Sequence, residues 1–188
     1  GAIADDISES HGGTGKSVGL NQFEHFMRTE TVNARNPKIW DSQFMYENVN
    51  QYTGFVIFDD ANQYFRFENL YSEITGKWKI NPKHGRQFTL SFEESPKLGI
   101  STNFGSMDMS SSTARRLLPI VYSDYYHDNS DGRYESTRTI ADDLGKNLFM
   151  DFDDKEWNAY FNTIAWACHL YFNYEKIMPP MESVRERT

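Results

Sequence analysis

Residues Ser10 to Ser17 read Ser-His-Gly-Gly-Thr-Gly-Lys-Ser, and no other segment restricts the folding of this chain as much. Gly12, Gly13 and Gly15 let backbone N–H groups approach a polyphosphate, with Thr14 and Val18 completing the same binding segment. Lys16 can reach the β- and γ-phosphates, and the Ser17 hydroxyl can ligate Mg²⁺. A helix opening near Lys16 turns the positive end of its dipole to the same anion. Ser10 stands where such loops usually carry their first glycine. The plain alternative is a glycine-rich turn that happens to precede a lysine. A phosphate loop joins a strand to a helix. Here Ala2 to Ala4 is the candidate strand, and Lys16 to Met27 carries apolar residues at helical spacing (Val18, Leu20, Phe23, Phe26, Met27).

The order of elements that follows predicts an α/β fold. Thr29 to Val32 reads as a strand, Ser42 to Val49 as a short helix, and Gly54 to Phe58 as a continuous apolar run of the kind buried in a parallel sheet. Phe67 to Ile74 reads as a helix stopped at Gly76. Trp78 to Ile80 and Gln87 to Phe92 form a hairpin pattern, and Leu98 to Thr102 and Leu117 to Tyr122 are further strands around a short helix from Ser110 to Arg116. Two helices follow, near Thr139 to Phe149 and Lys155 to Tyr174, and Glu182 to Thr188 reads as a frayed tail. The expected fold is an α/β, P-loop three-layer sandwich with a mostly parallel central sheet, a β-hairpin insertion and C-terminal helices. Residues 1–128 form the expected core, and residues 129–188 a helical extension packed on it.

Phosphate binding needs a second partner for the metal, and parallel strands present their C-terminal ends to a ligand crevice. The apolar strand ending at Phe58 is followed by Asp59 and Asp60. Asp59 is placed to hold Mg²⁺, and Asp60 to orient or deprotonate an attacking water. Read alone, the same pair is an Asp-Asp turn capping a helix. Asn103, after another buried strand, is a neutral polar group suited to the γ-phosphate or the water; an ordinary turn asparagine is its plain alternative.

Lys77, Lys79, Lys83, His84 and Arg86 fall in ten residues without an acid, inside a chain of net charge −8. On a hairpin they would contact a phosphate backbone without reading sequence; a solvated loop is the alternative. The acidic balance excludes a protein coated in nucleic-acid-binding charge. Arg115 and Arg116 precede the last core strand, where an arginine at a subunit edge can reach a neighbour's γ-phosphate; a surface pair at a helix C-terminus is the alternative. Trp157, Tyr160, Phe161, Ile164, Cys168 and Phe172 read as packing, and His11, His25, His127 and His169 lack a zinc-ligand spacing. No run approaches the ~20 apolar residues of a membrane span. The single cysteine fits a reducing cytoplasm, and Gly1 in place of an initiator Met reads as an excised fragment or an expression remnant.

Taken in order, the loop, Asp59-Asp60-Ala61-Asn62, the basic hairpin, Ser101-Thr102-Asn103 and Arg115-Arg116 resemble the superfamily 3 helicases of viruses, phages and plasmids, a branch of the AAA+ ATPases. Asp59-Asp60-Ala61-Asn62 is similar to their Walker B segment. Lys83-His84 resembles the Lys-His at the DNA-contacting hairpin tip of papillomavirus replicative helicases. Ser101-Thr102-Asn103 is similar to the Thr-Ser-Asn ending of motif C, and Arg116 resembles the arginine finger. The wider pattern resembles the ATPase part of phage and prophage primase–helicases, over about residues 10–122.

The resemblance implies a homo-hexameric ring that hydrolyses Mg²⁺–ATP between subunits and moves single-stranded DNA through a pore lined by hairpins. A primase or origin-binding domain would be a partner, in the cytoplasm of a bacterial host and away from any membrane. Two other classes compete. One is a P-loop kinase of a small molecule, and the other a nucleotide-binding assembly module without turnover.

Overall fold

The computed structural model describes residues 2–4, 15–104, 111–122, 126 and 139–174. The chain divides into two compact units, Gly1–Tyr122 with Met181–Thr188, and Ser123–Pro180. The first unit is built on a five-stranded sheet whose strands lie side by side in the order Arg28–Asn33, Thr53–Ala61, Lys97–Thr102, Ala2–Ala4 and Ile120–Val121. Its strands are β1 (Ala2–Ala4), β2 (Arg28–Asn33), β3 (Thr53–Ala61), β6 (Lys97–Thr102) and β7 (Ile120–Val121). Each neighbouring pair is parallel. A separate antiparallel ribbon joins β4 (Trp78–Ile80) to β5 (Phe88–Leu90), the expected hairpin.

A parallel strand covered on both faces reads as an unbroken apolar run. β3 is such a strand, and its alternation assigns its residues to two cores. Phe55 and Ile57 pack with Leu20 of helix α1 (Lys16–Asn21), flanked by Phe23, Met27 and Tyr122. Val56 and Phe58 face the larger cluster, with Leu98 and Ile100 of β6. Phe67 and Leu70, which lead into α2 (Tyr71–Thr75), and Trp78, Ile80 and Leu90 of the ribbon also belong to it. The ribbon is therefore bound to the core through one face.

At Gly99 the Leu20 side chain of α1 lies tight against the sheet. A Cβ built there would lie 2.7 Å from Phe55 Cζ and 2.9 Å from Leu20 Cδ2. Gly19 makes the matching concession on the helix, since a Cβ there would run into the Tyr122 hydroxyl.

Several expected elements differ, among them the last strand, which spans Ile120–Val121 instead of Leu117 to Tyr122. The α-helix expected from Lys16 to Met27 ends at Asn21 and tightens into a 3₁₀ turn, Gln22–His25. Phe23 stacks on Phe55 with ring centroids 4.4 Å apart, and its carbonyl accepts from both Phe26 and Met27 N–H. The chain is thereby reversed in time for β2 at Arg28. Ser42 to Val49 is a chain of turns, not a helix, with i+3 bonds from Met45 to Ser42, Glu47 to Phe44 and Val49 to Tyr46. Tyr46 is drawn under the sheet against Trp78, 4.8 Å between centroids, and that packing overrides local propensity. Its buried hydroxyl has no hydrogen-bond partner among the described residues, and burial raises its pKa far above the ordinary phenol value. A further difference is β3, which continues through Asp59, Asp60 and Ala61 rather than stopping at Phe58.

In the second unit, α4 (Ile140–Leu144) opens on a Thr139–Asp142 capping box and ends where Gly145 takes φ 67°. This is earlier than the expected end at Phe149. α5 (Asp154–Asn173) opens on a second capping box, Asp153 with Glu156. Lys146 donates to Glu156 at 2.6 Å, lowering the carboxyl's pKa and raising the amine's. Phe149, Phe152, Trp157, Tyr160 and Phe161 form a ring cluster at the start of α5. No residue of α5 is buried, however. Cys168 is exposed and Phe172 is 81% exposed, so the reading of these two as packing is corrected. No helix among the described residues is long and apolar enough to cross a membrane.

Gly99→Ala is expected to destabilise the first unit by about 1–3 kcal/mol, the usual cost of overpacking a filled interface. Urea unfolding checks this, and an unchanged midpoint would contradict the close approach.

Candidate functional site

Parallel pairing brings three strand ends level. Thr102 of β6 is in register with Ala4 of β1 on one side and with Ala61 of β3 on the other. The ends of β1, β3 and β6 therefore lie at one edge of the sheet, with Asp59-Asp60 in the last residues of β3 and Asn103 just after β6, and ligands of open α/β sheets bind at such an edge. Gly12, Gly13 and Thr14 lie outside the described residues.

The acidic pair sits on a bulge. Between β3 and β6 the register runs from Phe58↔Ile100 to Ala61↔Thr102, so Asp59 and Asp60 together stand opposite Ser101. A bulge bends its strand and re-aims the side chains it carries. Asp60 takes up the extra residue with φ 56°, a left-handed conformation that aspartate tolerates better than most residues. The buried Ser101 holds both halves. Its Oγ donates to Asp59 Oδ1 at 2.7 Å and accepts the Asp60 N–H at 2.7 Å. Asp59 Oδ2 has no hydrogen-bond partner among the described residues. Asp60 pairs with Arg35, Nη2 to Oδ2 at 2.6 Å.

Alternation along β3 puts Asp59 on the same face as Phe55 and Ile57, the face covered by α1. Lys16 opens α1 and is buried, next to Gly15 with φ 95°. That conformation is where glycine is the default residue. Ser17 and Val18, on the same first turn, are exposed. Asn103 follows β6 half-buried, and its amide makes no hydrogen bond among the described residues.

Arg116 is engaged within its own chain. Nη1 donates to the Ser112 carbonyl at 2.8 Å and to Ser112 Oγ at 2.9 Å. The guanidinium lies 4.5 Å from the centre of the Tyr71 ring, and Tyr71 in turn bonds Thr113. The neighbouring Arg115 is exposed. Both follow α3 (Ser111–Ala114), which is shorter than the expected helix.

The five basic residues are all exposed. Trp78 and Ile80 are buried, while Lys77 and Lys79, at alternate positions, are exposed. Lys83, His84 and Arg86 are exposed in the connection to β5. None of the five makes an ion pair among the described residues. Trp78 fixes the base of the ribbon by donating its indole N–H to the Glu73 carbonyl at 2.8 Å.

Three further residues shape the site: Arg35 lay outside the sequence motifs, while Asn62 and Ser101 stood within them without a role of their own. Arg35 neutralises Asp60. Asn62 bonds the Ala34 and Arg35 carbonyls at 3.2 and 3.1 Å, tying the end of β3 to the loop after β2. Ser101 supports the bulge. Its place beside Asn103 was the available signal, but a one-residue register shift has no compositional mark.

Among the described residues no three His, Cys, Asp or Glu side chains group as a metal cage. A nucleotide-borne Mg²⁺ asks for less, commonly one or two carboxylates with the phosphates supplying other oxygens. The open Oδ2 of Asp59 fits that demand.

No family model matches the chain, and no curated protein matches it. Among solved structures it is similar to an apo form of the C-terminal region of NrS-1, at 18% identity and a TM-score of 0.45, over 77% of this chain. The matched part is 32% of that structure, so this chain spans about a third of its length.

Asp60→Val is expected to be less stable than Asp60→Asn by about 1–2 kcal/mol. Both variants lose the Arg35 pair, so chemical denaturation of the two isolates the left-handed backbone. Equal stabilities would contradict it.

Proposed function

We propose that this chain carries a Mg²⁺–ATP-dependent motor for DNA unwinding, of the AAA+-like superfamily 3 type, serving phage, prophage or mobile-element replication in a bacterial cytoplasm. The observation that supports it most is the shared level of Ala4, Ala61 and Thr102, with the acidic bulge and Asn103 at the sheet edge where β1 also ends. In this reading Gly12, Gly13, Thr14, Gly15 and Val18 supply the loop that lies against the nucleotide. Lys16 neutralises the β- and γ-phosphates. Ser17 and Asp59 hold Mg²⁺, which lends charge stabilisation to the transferring phosphoryl group. Asp60 and Asn103 place the attacking water, and Asp60 must part from Arg35 to accept its proton.

Arg116 would act in trans on the next subunit of a homo-hexamer, which requires it to leave Ser112 and the Tyr71 ring. Lys77, Lys79, Lys83, His84 and Arg86 would grip the backbone of single-stranded DNA, with a primase or origin-binding domain as partner. A small-molecule kinase would leave these five solvent-facing groups without a role, and a module without turnover would leave Asp60 and Asn103 without one.

Lys16→Ala is expected to lower ATP hydrolysis by about a hundredfold or more, the scale of losing one electrostatic stabiliser of the transition state. Phosphate release measures this directly, and a variant as fast as the parent would rule out the nucleotide site. Lys83→Ala with His84→Ala should keep basal hydrolysis and weaken single-stranded DNA binding. The salt slope should fall by about 0.7 for each phosphate that the variant no longer neutralises. Titration of a labelled oligonucleotide at several salt concentrations reads both effects, and parent-like binding would remove the hairpin from the DNA path. If the catalytic site is shared between subunits, specific activity should rise with protein concentration until assembly saturates. A flat profile would contradict the shared site.

A further inference from the structure

We infer that Ser101 is a positioning residue for the metal–nucleotide site, acting through the bulge that carries the acidic pair. The inference rests on the reading of Asp59 as a metal-holding group. Ser101 is 3% exposed, so its hydroxyl is shielded from exchange with water. A serine hydroxyl has one proton to donate and lone pairs to accept with, and both functions are used here. The proton goes to Asp59 Oδ1, at a distance typical of a charge-assisted bond, 2.7 Å. The acceptor side takes the Asp60 N–H, also at 2.7 Å. That N–H falls where the β3–β6 register shifts, so it would otherwise be an unpaired backbone donor at a residue with φ 56°.

One hydroxyl thus performs two linked tasks. It fixes the rotation of the Asp59 carboxylate, leaving Oδ2 as the oxygen turned to a ligand, and it holds the backbone that sets where Asp60 points. The next residue continues the same clamp: Thr102 Oγ1 donates to the Ala61 carbonyl at 2.8 Å and accepts from Phe104 N–H at 3.1 Å. The end of β6 therefore templates the end of β3. Partners that orient a metal-holding carboxylate are commonly worth about 10–100-fold in metal affinity.

The test uses the full chain, Mn²⁺ as a spectroscopic stand-in for Mg²⁺, and a non-hydrolysable ATP analogue. Electron paramagnetic resonance of free Mn²⁺ reports the bound fraction. Ser101→Ala is expected to weaken Mn²⁺ binding by about tenfold, while analogue affinity without metal stays within about twofold of the parent. Ser101→Thr keeps the hydroxyl and should retain the parent's Mn²⁺ affinity. In an Asp59→Asn background Ser101→Ala should add little, because both changes break one linkage. Parent-like Mn²⁺ affinity in Ser101→Ala overturns the inference. So does an equal loss in Ser101→Thr, a full additive loss in the Asp59→Asn background, or a matching loss of metal-free analogue binding. A parent protein that binds no Mn²⁺ with the analogue instead defeats the metal–nucleotide reading itself.

Discussion

The parallel pairing of β6 with both β1 and β3 is the constraint on which the rest of the first unit depends. Because Thr102 lies level with Ala4 and with Ala61, three strands end at one level. A slip of one residue would turn Val56, Phe58, Leu98 and Ile100 toward the wrong face. The two unequal cores make such a slip costly, since each buried aliphatic or aromatic side chain contributes about 1.5–3 kcal/mol when removed from water. The hydrophobic pattern therefore specifies the level of the polar residues that follow it. Asp59 is set by Phe55 and Ile57, and Ser101 by Gly99 and the tight seat of Leu20 upon it.

Regular structure ends where the polar groups begin. The bulge at Asp59-Asp60 interrupts the ladder, and the strain of a left-handed aspartate is held by Ser101 on one side and Arg35 on the other. Strain of this kind persists only where its surroundings over-determine it, and it gathers at sites that work. The other charged feature follows the opposite logic. On the β4–β5 ribbon the strand period alone separates Trp78 and Ile80, which join the core, from Lys77 and Lys79, which meet water.

Much of this arrangement was legible in the sequence because it is written in periodicity. The unbroken run from Gly54 to Phe58 announced a strand covered on both sides, and the alternation around Trp78 announced the ribbon. Ser42 to Val49 was misread, since apolar spacing compatible with a helix equally serves a string of turns that buries Tyr46. The bulge was invisible. Asp59 and Asp60 looked like residues beyond a strand, whereas they belong to it, and their support arrives from Arg35 and Ser101 on other strands or loops. The exposure of Cys168 was missed for a related reason: an apolar stripe on a helix states a capacity for burial, and tertiary structure decides its use. At Arg116 the sequence offered a charged residue near a strand but gave no sign of its bonds to Ser112 or its seat on Tyr71.

The anchoring of Trp78 has a mechanical consequence. Its ring sits against Tyr46, its indole N–H is tied to the Glu73 carbonyl, and its neighbours Ile80 and Leu90 are held in the same cluster. One face of the ribbon is thereby tied to the larger core cluster. The exposed connection that carries Lys83 and His84 is thus mounted on a base rooted in the interior, and a pull on it would be felt first at Trp78, Ile80 and Leu90.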